Sequence, residues 1–162
     1  MKVIQSLLLL AISALFSACQ TFDEPIDPKP FIIKKDLTGV YEYIGPDQDL
    51  LKVKDTLRVY MPYEGIYSLE FEKVTKTDST ESSETNMIGL GHLSKLNKDL
   101  YFNQHLEGEW VYYHIRFDNN DIKARVVGLN NYKKHMDHAT VLYELEHGKV
   151  ELNDEMIFIK KK

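Results

Sequence analysis

The feature that most constrains the fold of this chain is a pair of turn signals that divide one stretch into three alternating segments. Gly108 stands between the first and second segments, and Asn119-Asn120 stands between the second and third. A two-residue turn with Gly first is typical of a type II′ hairpin, and Asn-Asn suits a second tight turn. Both turns bring apolar residues to one face, which predicts an antiparallel meander. The predicted pairs are Leu106–Val111, Gln104–Tyr113, Phe102–Ile115 and Leu100–Phe117, followed by Phe117–Ile122, Ile115–Ala124 and Tyr113–Val126.

The opposite face of this meander carries aromatic, imidazole and basic side chains. We hypothesise that it binds a protein or a glycan, because exposed aromatic residues and Arg are enriched where partners bind. An ordinary solvent-facing surface is the alternative. The candidate contact residues are Tyr101, His105, Trp110, Tyr112 and Arg116.

Further strands are predicted on both sides of the meander. Runs rich in β-branched and aromatic residues are bounded there by Gly, Pro or Asn. The polar run Thr75–Asn86 has almost no apolar residue, which predicts a long, mobile loop. The predicted strands cover 37–44, 57–61, 67–72, 88–96, 150–152 and 156–159.

One short helix is predicted near the C-terminus, over His138–His147. Asp137 suits its N-cap, Met136 and Val141 suit a hydrophobic staple, and Gly148 suits its end. Because β-branched residues prefer strands, Val141 leaves a strand as the alternative.

The N-terminus has the layout of a secretory signal. Lys2 precedes the largely apolar stretch Val3–Phe16, and the small residues Ser17 and Ala18 precede Cys19. The stretch is short for a membrane span, which needs about 20 apolar residues. Cys19 is the one cysteine of the chain, so an intramolecular disulfide is excluded.

The run Leu15-Phe16-Ser17-Ala18-Cys19 resembles the lipobox of bacterial lipoproteins, with Phe16 at a position where that family prefers Leu. The resemblance implies cleavage before Cys19 and a lipid anchor on its thiol. It also implies a place in the cell envelope, on the outer membrane of a bacterium, facing the periplasm or the cell surface. Two or three acyl chains hold a protein stably, whereas one chain holds it marginally. An ordinary signal peptide with an incidental cysteine is the alternative.

The segment 20–35 contains Pro25, Pro28 and Pro30 and shows little strand or helix periodicity. It is predicted to be an extended tether, which would lift the domain by about 40 to 50 Å from the bilayer. The predicted organisation is therefore a signal peptide over 1–18, a lipidated cysteine and tether over 19–36, and a single β-barrel-like domain over 37–162.

The run Leu37-Thr38-Gly39-Val40-Tyr41 is similar to the first strand of lipocalin-like barrels, which often have Gly-x-Trp there. Gly91–Leu96 followed by Leu100–Asn103 looks like a pattern of small bacterial lipoproteins of uncharacterised function. The resemblance implies a mainly β fold, an antiparallel meander or lipocalin-like barrel with one short C-terminal helix. It also implies an alternative function, the carriage of a small apolar ligand.

Charge and motifs limit the function classes. The formal net charge of −5 disfavours nucleic acid as a partner. The chain contains no Gly-x-Ser-x-Gly motif and no Gly-rich loop with a Lys for phosphate. His135-Met136-Asp137-His138 lacks an evident further ligand for zinc. We therefore expect a non-enzymatic protein without a cofactor or bound metal, and an unfamiliar enzyme is the alternative.

Overall fold

The computed structural model describes residues 20–33, 36–44, 55–77, 80–130, 133 and 136–161. The predicted signal peptide, Cys19 and His135 lie outside this part of the chain.

Within the described residues, nine β-strands and one α-helix form. The strands are β1 Gly39–Ile44, β2 Thr56–Tyr63, β3 Ile66–Thr77, β4 Thr80–Leu96, β5 Asp99–Leu106, β6 Glu109–Asp118, β7 Asp121–Leu129, β8 Val150–Leu152 and β9 Met156–Lys160. The helix α1 is His138–Glu146.

Eight of these strands close into an antiparallel barrel. Strands β1 to β7 pair in chain order, and β9 lies between β7 and β1 and closes the ring. Strand β8 pairs with the last residues of β7 outside the ring. The predicted fold class, a mainly β antiparallel barrel with one short helix, is confirmed.

The two ends of the barrel carry different turns. We call the end with the β2–β3, β4–β5 and β6–β7 turns the lower end, and the end with the β5–β6 turn the upper end. An eight-residue strand that tilts by 35 to 45° spans roughly 20 Å of the barrel axis.

The second turn of the meander is confirmed, and the predicted pairing across the first turn is wrong by two residues. All three predicted pairs between β6 and β7 occur. In the first hairpin, however, Gln104 pairs with Val111 rather than Tyr113. Glu107 and Gly108 are the two turn residues, with φ angles of 50° and 92°, as a type I′ turn requires. The register moves by two residues, so each side chain keeps its predicted face.

The prediction of a long loop over Thr75–Asn86 is wrong. Residues 75–77 continue β3 and residues 80–86 belong to β4, and Thr75 pairs with Ser82. Frequent β-branched Thr residues favour this extended backbone despite the low apolar content.

The predicted helix is confirmed. Asp137 caps it by accepting a hydrogen bond from the backbone N–H of Thr140 at 3.0 Å. Gly148 follows the helix with φ of 65°, a left-handed conformation that favours glycine.

Two separate apolar cores hold the fold together. The first fills the barrel and contains Leu37, Tyr41, Leu57, Val59, Tyr67, Leu93, Phe102, Ile115 and Ala124. The second lies outside the wall and contains Phe22, Ile26, Tyr101, Tyr112, Val127, Leu129, Val141 and Leu145. The second core joins the N-terminal segment, the outer face of the barrel and the helix.

Candidate functional site

The segment 20–33, which we call the strap, runs across the outer wall of the barrel. It begins at the upper end beside Leu129 and passes over Trp110 and Asn103. It then reaches the β2–β3 turn at the lower end, where Ile32 lies against Gly65. The expected extended tether is therefore not observed over these residues, which pack against the domain.

The first residues of the strap lie where strands β6 and β7 separate. Strand β7 pairs with β6 as far as Val126 and then pairs with β8. The side-chain amide of Gln20 accepts a hydrogen bond from the Leu129 N–H at 2.6 Å and donates one to the Leu129 carbonyl at 3.1 Å. Phe22 forms two backbone hydrogen bonds of 2.8 Å with Trp110. The strap therefore bridges the edges of both strands and satisfies their polar groups.

Two apolar side chains bind the strap to the wall. Phe22 stacks on Tyr112, and Ile26 is 4% exposed within the same core. The Tyr112 hydroxyl donates to the carbonyl of Glu24. Burial of two such side chains stabilises this arrangement by about 1.5 to 3 kcal/mol each.

A buried polar cluster holds the middle of the strap. The Asn103 side chain is fully buried and accepts a hydrogen bond from the Ile26 N–H at 3.0 Å. Its amide nitrogen donates to Ser94 Oγ at 2.7 Å and to the His92 carbonyl at 3.2 Å. His92 Nε2 lies 2.6 Å from the Asp27 carbonyl, which can only accept, so this nitrogen carries the proton. Asn103 and His92 therefore hold the backbone of Ile26 and Asp27 against the wall, and the bonds among Asn103, Ser94 and His92 fix the orientation of the Asn103 side chain.

The residues predicted to contact a partner do not form one exposed surface. Tyr112 is 0% exposed and Tyr101 is 6% exposed, because the strap and helix α1 cover them. Trp110 is half-buried, and the ring of His105 lies 4.8 Å from it. His105 and Arg116 remain exposed. The expectation that all five side chains face a partner is therefore corrected for the two tyrosines.

Two buried tyrosines have strongly shifted acidities. Burial, with a smaller effect of Asp99, raises the pKa of Tyr101 to about 12. Burial, with a smaller effect of Asp36, raises the pKa of Tyr41 inside the barrel to about 12. Both phenols are neutral near pH 7 and serve as packing and hydrogen-bonding groups.

The barrel interior is filled by side chains at its centre, and half-buried aromatic rings lie towards its upper end. The Tyr41 hydroxyl donates to the Leu37 carbonyl at 2.9 Å. Towards the upper end, the half-buried rings of Phe71 and Phe158 lie 6.2 and 5.4 Å from the ring of Tyr43. These three rings form an aromatic cluster that the predictions from sequence missed.

An exposed apolar groove lies on the outer face of strands β2, β3 and β4, also unpredicted. It has a volume of about 450 Å³. Tyr63 is 75% exposed, and Tyr60 and Leu90 are nearly half exposed. The groove is lined by Tyr60, Pro62, Tyr63, Ile66, Ser68, Glu70 and Leu90.

Asp137 and His138 of the His-x-Asp-His sequence lie in the described part of the chain, whereas His135 lies outside it. Asp137 caps helix α1, and its hydrogen bonds with the Thr140 side chain and backbone lower its pKa. No group of three potential metal ligands occurs among the residues whose placement is described.

No family model matches this sequence, and comparisons with curated proteins and with solved structures found no significant match. Among the described residues, no helix is long and apolar enough to cross a membrane. Inference about function therefore depends on the groove, the strap and the sequence motif at Cys19.

Proposed function

We propose that this protein is a lipid-anchored, non-enzymatic protein of the bacterial cell envelope that binds a partner protein through the groove. The proposal rests on the exposure of Tyr60, Tyr63 and Leu90 around one shallow, open depression in the surface. Clustered exposed apolar residues mark interaction sites more often than scattered ones do. We therefore propose the groove as the partner-binding surface, in place of the outer face of β5 and β6 that the sequence predicted. The strap covers much of that face.

The chemistry of the groove favours a protein segment over a glycan. Ile66, Leu90 and Pro62 offer an aliphatic lining, which suits an apolar side chain better than the hydroxyl groups of a sugar. The polar groups of the groove are the carboxylate of Glu70 and the hydroxyls of Ser68, Tyr60 and Tyr63. The carboxylate of Glu70 borders this apolar surface. We therefore expect the partner segment to present an apolar side chain beside a Lys or Arg.

Site-specific photo-crosslinking in intact cells tests the groove. A photoreactive residue at Leu90 should crosslink to one defined partner, and the same residue at Tyr143 should not. Tyr143 is a matched control because it is 49% exposed and lies on helix α1, away from the groove. Glu70→Lys should reduce the crosslink at position 90 by at least tenfold. Equal crosslinking at both positions, or a partner insensitive to Glu70→Lys, contradicts the proposal, and a crosslinked dimer would identify a second copy instead.

The lipid anchor is tested separately at Cys19. Cys19→Ala should leave the chain exported, because Lys2 and the apolar stretch Val3–Phe16 are unchanged. The variant should lose incorporation of labelled palmitate and leave the membrane fraction. Membrane retention of an unlabelled variant would contradict anchoring at this residue.

A second candidate function is the carriage of a small apolar ligand. The half-buried cluster of Tyr43, Phe71 and Phe158 favours it, because these rings line the upper part of the barrel interior. A fluorescent fatty acid should then bind saturably, and Phe158→Ala should change its affinity. Absence of saturable binding to the wild-type protein would contradict this candidate.

A further inference from the structure

The strap fixes where the chain leaves the barrel towards Cys19. Gln20 is the next residue, and both polar ends of its amide group are bound to Leu129 near the upper end. Consecutive Cα atoms are only about 3.8 Å apart. Because the residue after Cys19 is already bound to the wall, no free linker separates an acylated Cys19 from the domain.

The geometry points to a barrel that stands on the bilayer with its upper end at the lipid headgroups and the Tyr63 end of its groove directed away from them. This inference rests on the proposed lipid anchor at Cys19. The strap would then fix the position of the barrel relative to the lipid anchor, whereas a flexible tether would let the barrel move away from the membrane. The surface that meets lipid would comprise the start of the strap, the β5–β6 turn, the edge of Trp110 and the β3–β4 hairpin, whose strands continue past the ends of β2 and β5 at this end.

The position of Trp110 is an independent observation in favour of this orientation. Trp110 is the single tryptophan of the chain, and its half-buried side chain lies beside the backbone bridge to Phe22. Tryptophan combines an apolar ring with a polar N–H and is enriched at membrane interfaces. Because Trp110 lies next to the end of the strap that leads to Cys19, we expect its ring to contact the lipid headgroups.

The charges at the upper end indicate how the domain is held there. Glu107 and Glu109 flank Gly108 at the β5–β6 turn, so this turn gains nothing from attraction to anionic lipids. The acyl chains, rather than this turn, would hold the domain at the surface. In vesicles of neutral phosphatidylcholine, the depth of Trp110 should therefore be independent of salt concentration.

The same orientation presents the groove to partners. Tyr63 lies beside the β2–β3 turn at the lower end, roughly 20 Å along the barrel axis from the upper end. The anchoring membrane would therefore leave the Tyr63 end of the groove uncovered, and a partner would approach the groove from that end.

Fluorescence quenching in phosphatidylcholine vesicles tests the orientation. The lipid-modified protein, purified from membranes and reconstituted, is mixed with lipids that carry a spin label at the headgroup. Trp110 should lose at least half of its fluorescence. The double variant Trp110→Phe, Tyr63→Trp moves the single tryptophan to the lower end and should lose less than a tenth. Equal quenching at both positions, or none at position 110, overturns the inference.

Two further experiments, a variant with a longer linker and a chemically attached lipid, distinguish a failure of this inference from a failure of the proposed function. Ten Gly and Ser residues inserted between Cys19 and Gln20 should preserve flotation with vesicles but relieve the quenching of Trp110. Quenching that survives the insertion overturns the role of the strap. Mature chain can also be coupled through its one thiol to a maleimide lipid. If cells do not attach lipid to Cys19, the proposed anchor is wrong. If Trp110 is only weakly quenched when the protein is coupled to maleimide lipid in vesicles, the proposed orientation is wrong.

Discussion

The ring of Phe22 lies flat on the ring of Tyr112, with centroids 4.1 Å apart and planes 2° apart. One ring comes from the strap and the other from strand β6, in the centre of the second apolar core. Phe22 is 4% exposed and Tyr112 is 0% exposed. The N-terminal segment therefore belongs to the folded domain, and its removal would uncover aromatic side chains.

Phe22→Ala should lower the free energy of unfolding by about 3 to 5 kcal/mol, as for other buried Phe residues. Urea denaturation followed by circular dichroism measures this change. Phe31→Ala is the matched control, because Phe31 belongs to the same strap but is 37% exposed. It should cost less than about 1 kcal/mol. Similar losses for both variants would mean that the strap does not depend on the stacked pair.

Gly91→Ala should destabilise the barrel strongly. A Cβ atom at Gly91 would come within 2.5 Å of the backbone oxygen of Asn103 on the neighbouring strand, which cannot move without disturbing the sheet. We expect a loss of about 1 to 3 kcal/mol or more. Gly128→Ala is the control, because a Cβ there would meet only ordinary contacts of 3.5 Å or more with Gln20. Thermal unfolding of both variants should show a large decrease for the first and little change for the second.

The stability of the protein should fall between about pH 10 and pH 12. Burial raises the folded-state pKa of Tyr41 and of Tyr101 to about 12, from an ordinary value of 10.0. Because the folded pKa is the higher one, this contribution is complete below about pH 10 and is lost as the pH rises towards 12. Urea unfolding across this pH range measures the loss. Tyr41→Phe should have a smaller pH dependence, and an unchanged dependence would contradict the assignment to Tyr41.

Gln20→Leu should loosen the start of the strap without unfolding the barrel. The substitution removes both side-chain hydrogen bonds to Leu129, each of which contributes about 0.5 to 1.5 kcal/mol. Hydrogen exchange at the Leu129 amide should accelerate by roughly tenfold, since 1.4 kcal/mol is one factor of ten. The amide of Ile115, on strand β6 within the barrel core, should keep its protection. Equal acceleration at both amides would indicate global destabilisation instead.

Much of the barrel could be predicted from local sequence, because its strands alternate and its turns are short. The Asn119-Asn120 turn fixed the pairing of β6 with β7. At Gly108 the prediction failed by two residues, since Glu107 also adopts a positive φ angle and so shares the turn. Sequence patterns seldom reveal such a conformation in a residue other than Gly, Asn or Asp.

The strap and the groove could not be predicted from local patterns. Phe22 and Ile26 are two apolar residues in a proline-rich stretch, and their partners lie far along the chain. Whether Tyr101 and Tyr112 are exposed depends on that distant segment rather than on their own strands. The alternation of residues along β2, β3 and β4 predicts which side chains face outward. It does not predict whether another segment of the chain covers them, and the groove exists because none of the described residues does.

The hydrogen bonds between Gln20 and Leu129 join residues 109 positions apart in the chain. Contacts of such long sequence separation form late, because closing the loop between them costs entropy before the bonds stabilise it. The first residues of the domain to be synthesised are thus among the last to reach their place. We therefore expect the strap to close over the barrel after the β6–β7 hairpin has paired, as we expect for the β1–β9 pairs, which join residues as far apart as Tyr41 and Lys160.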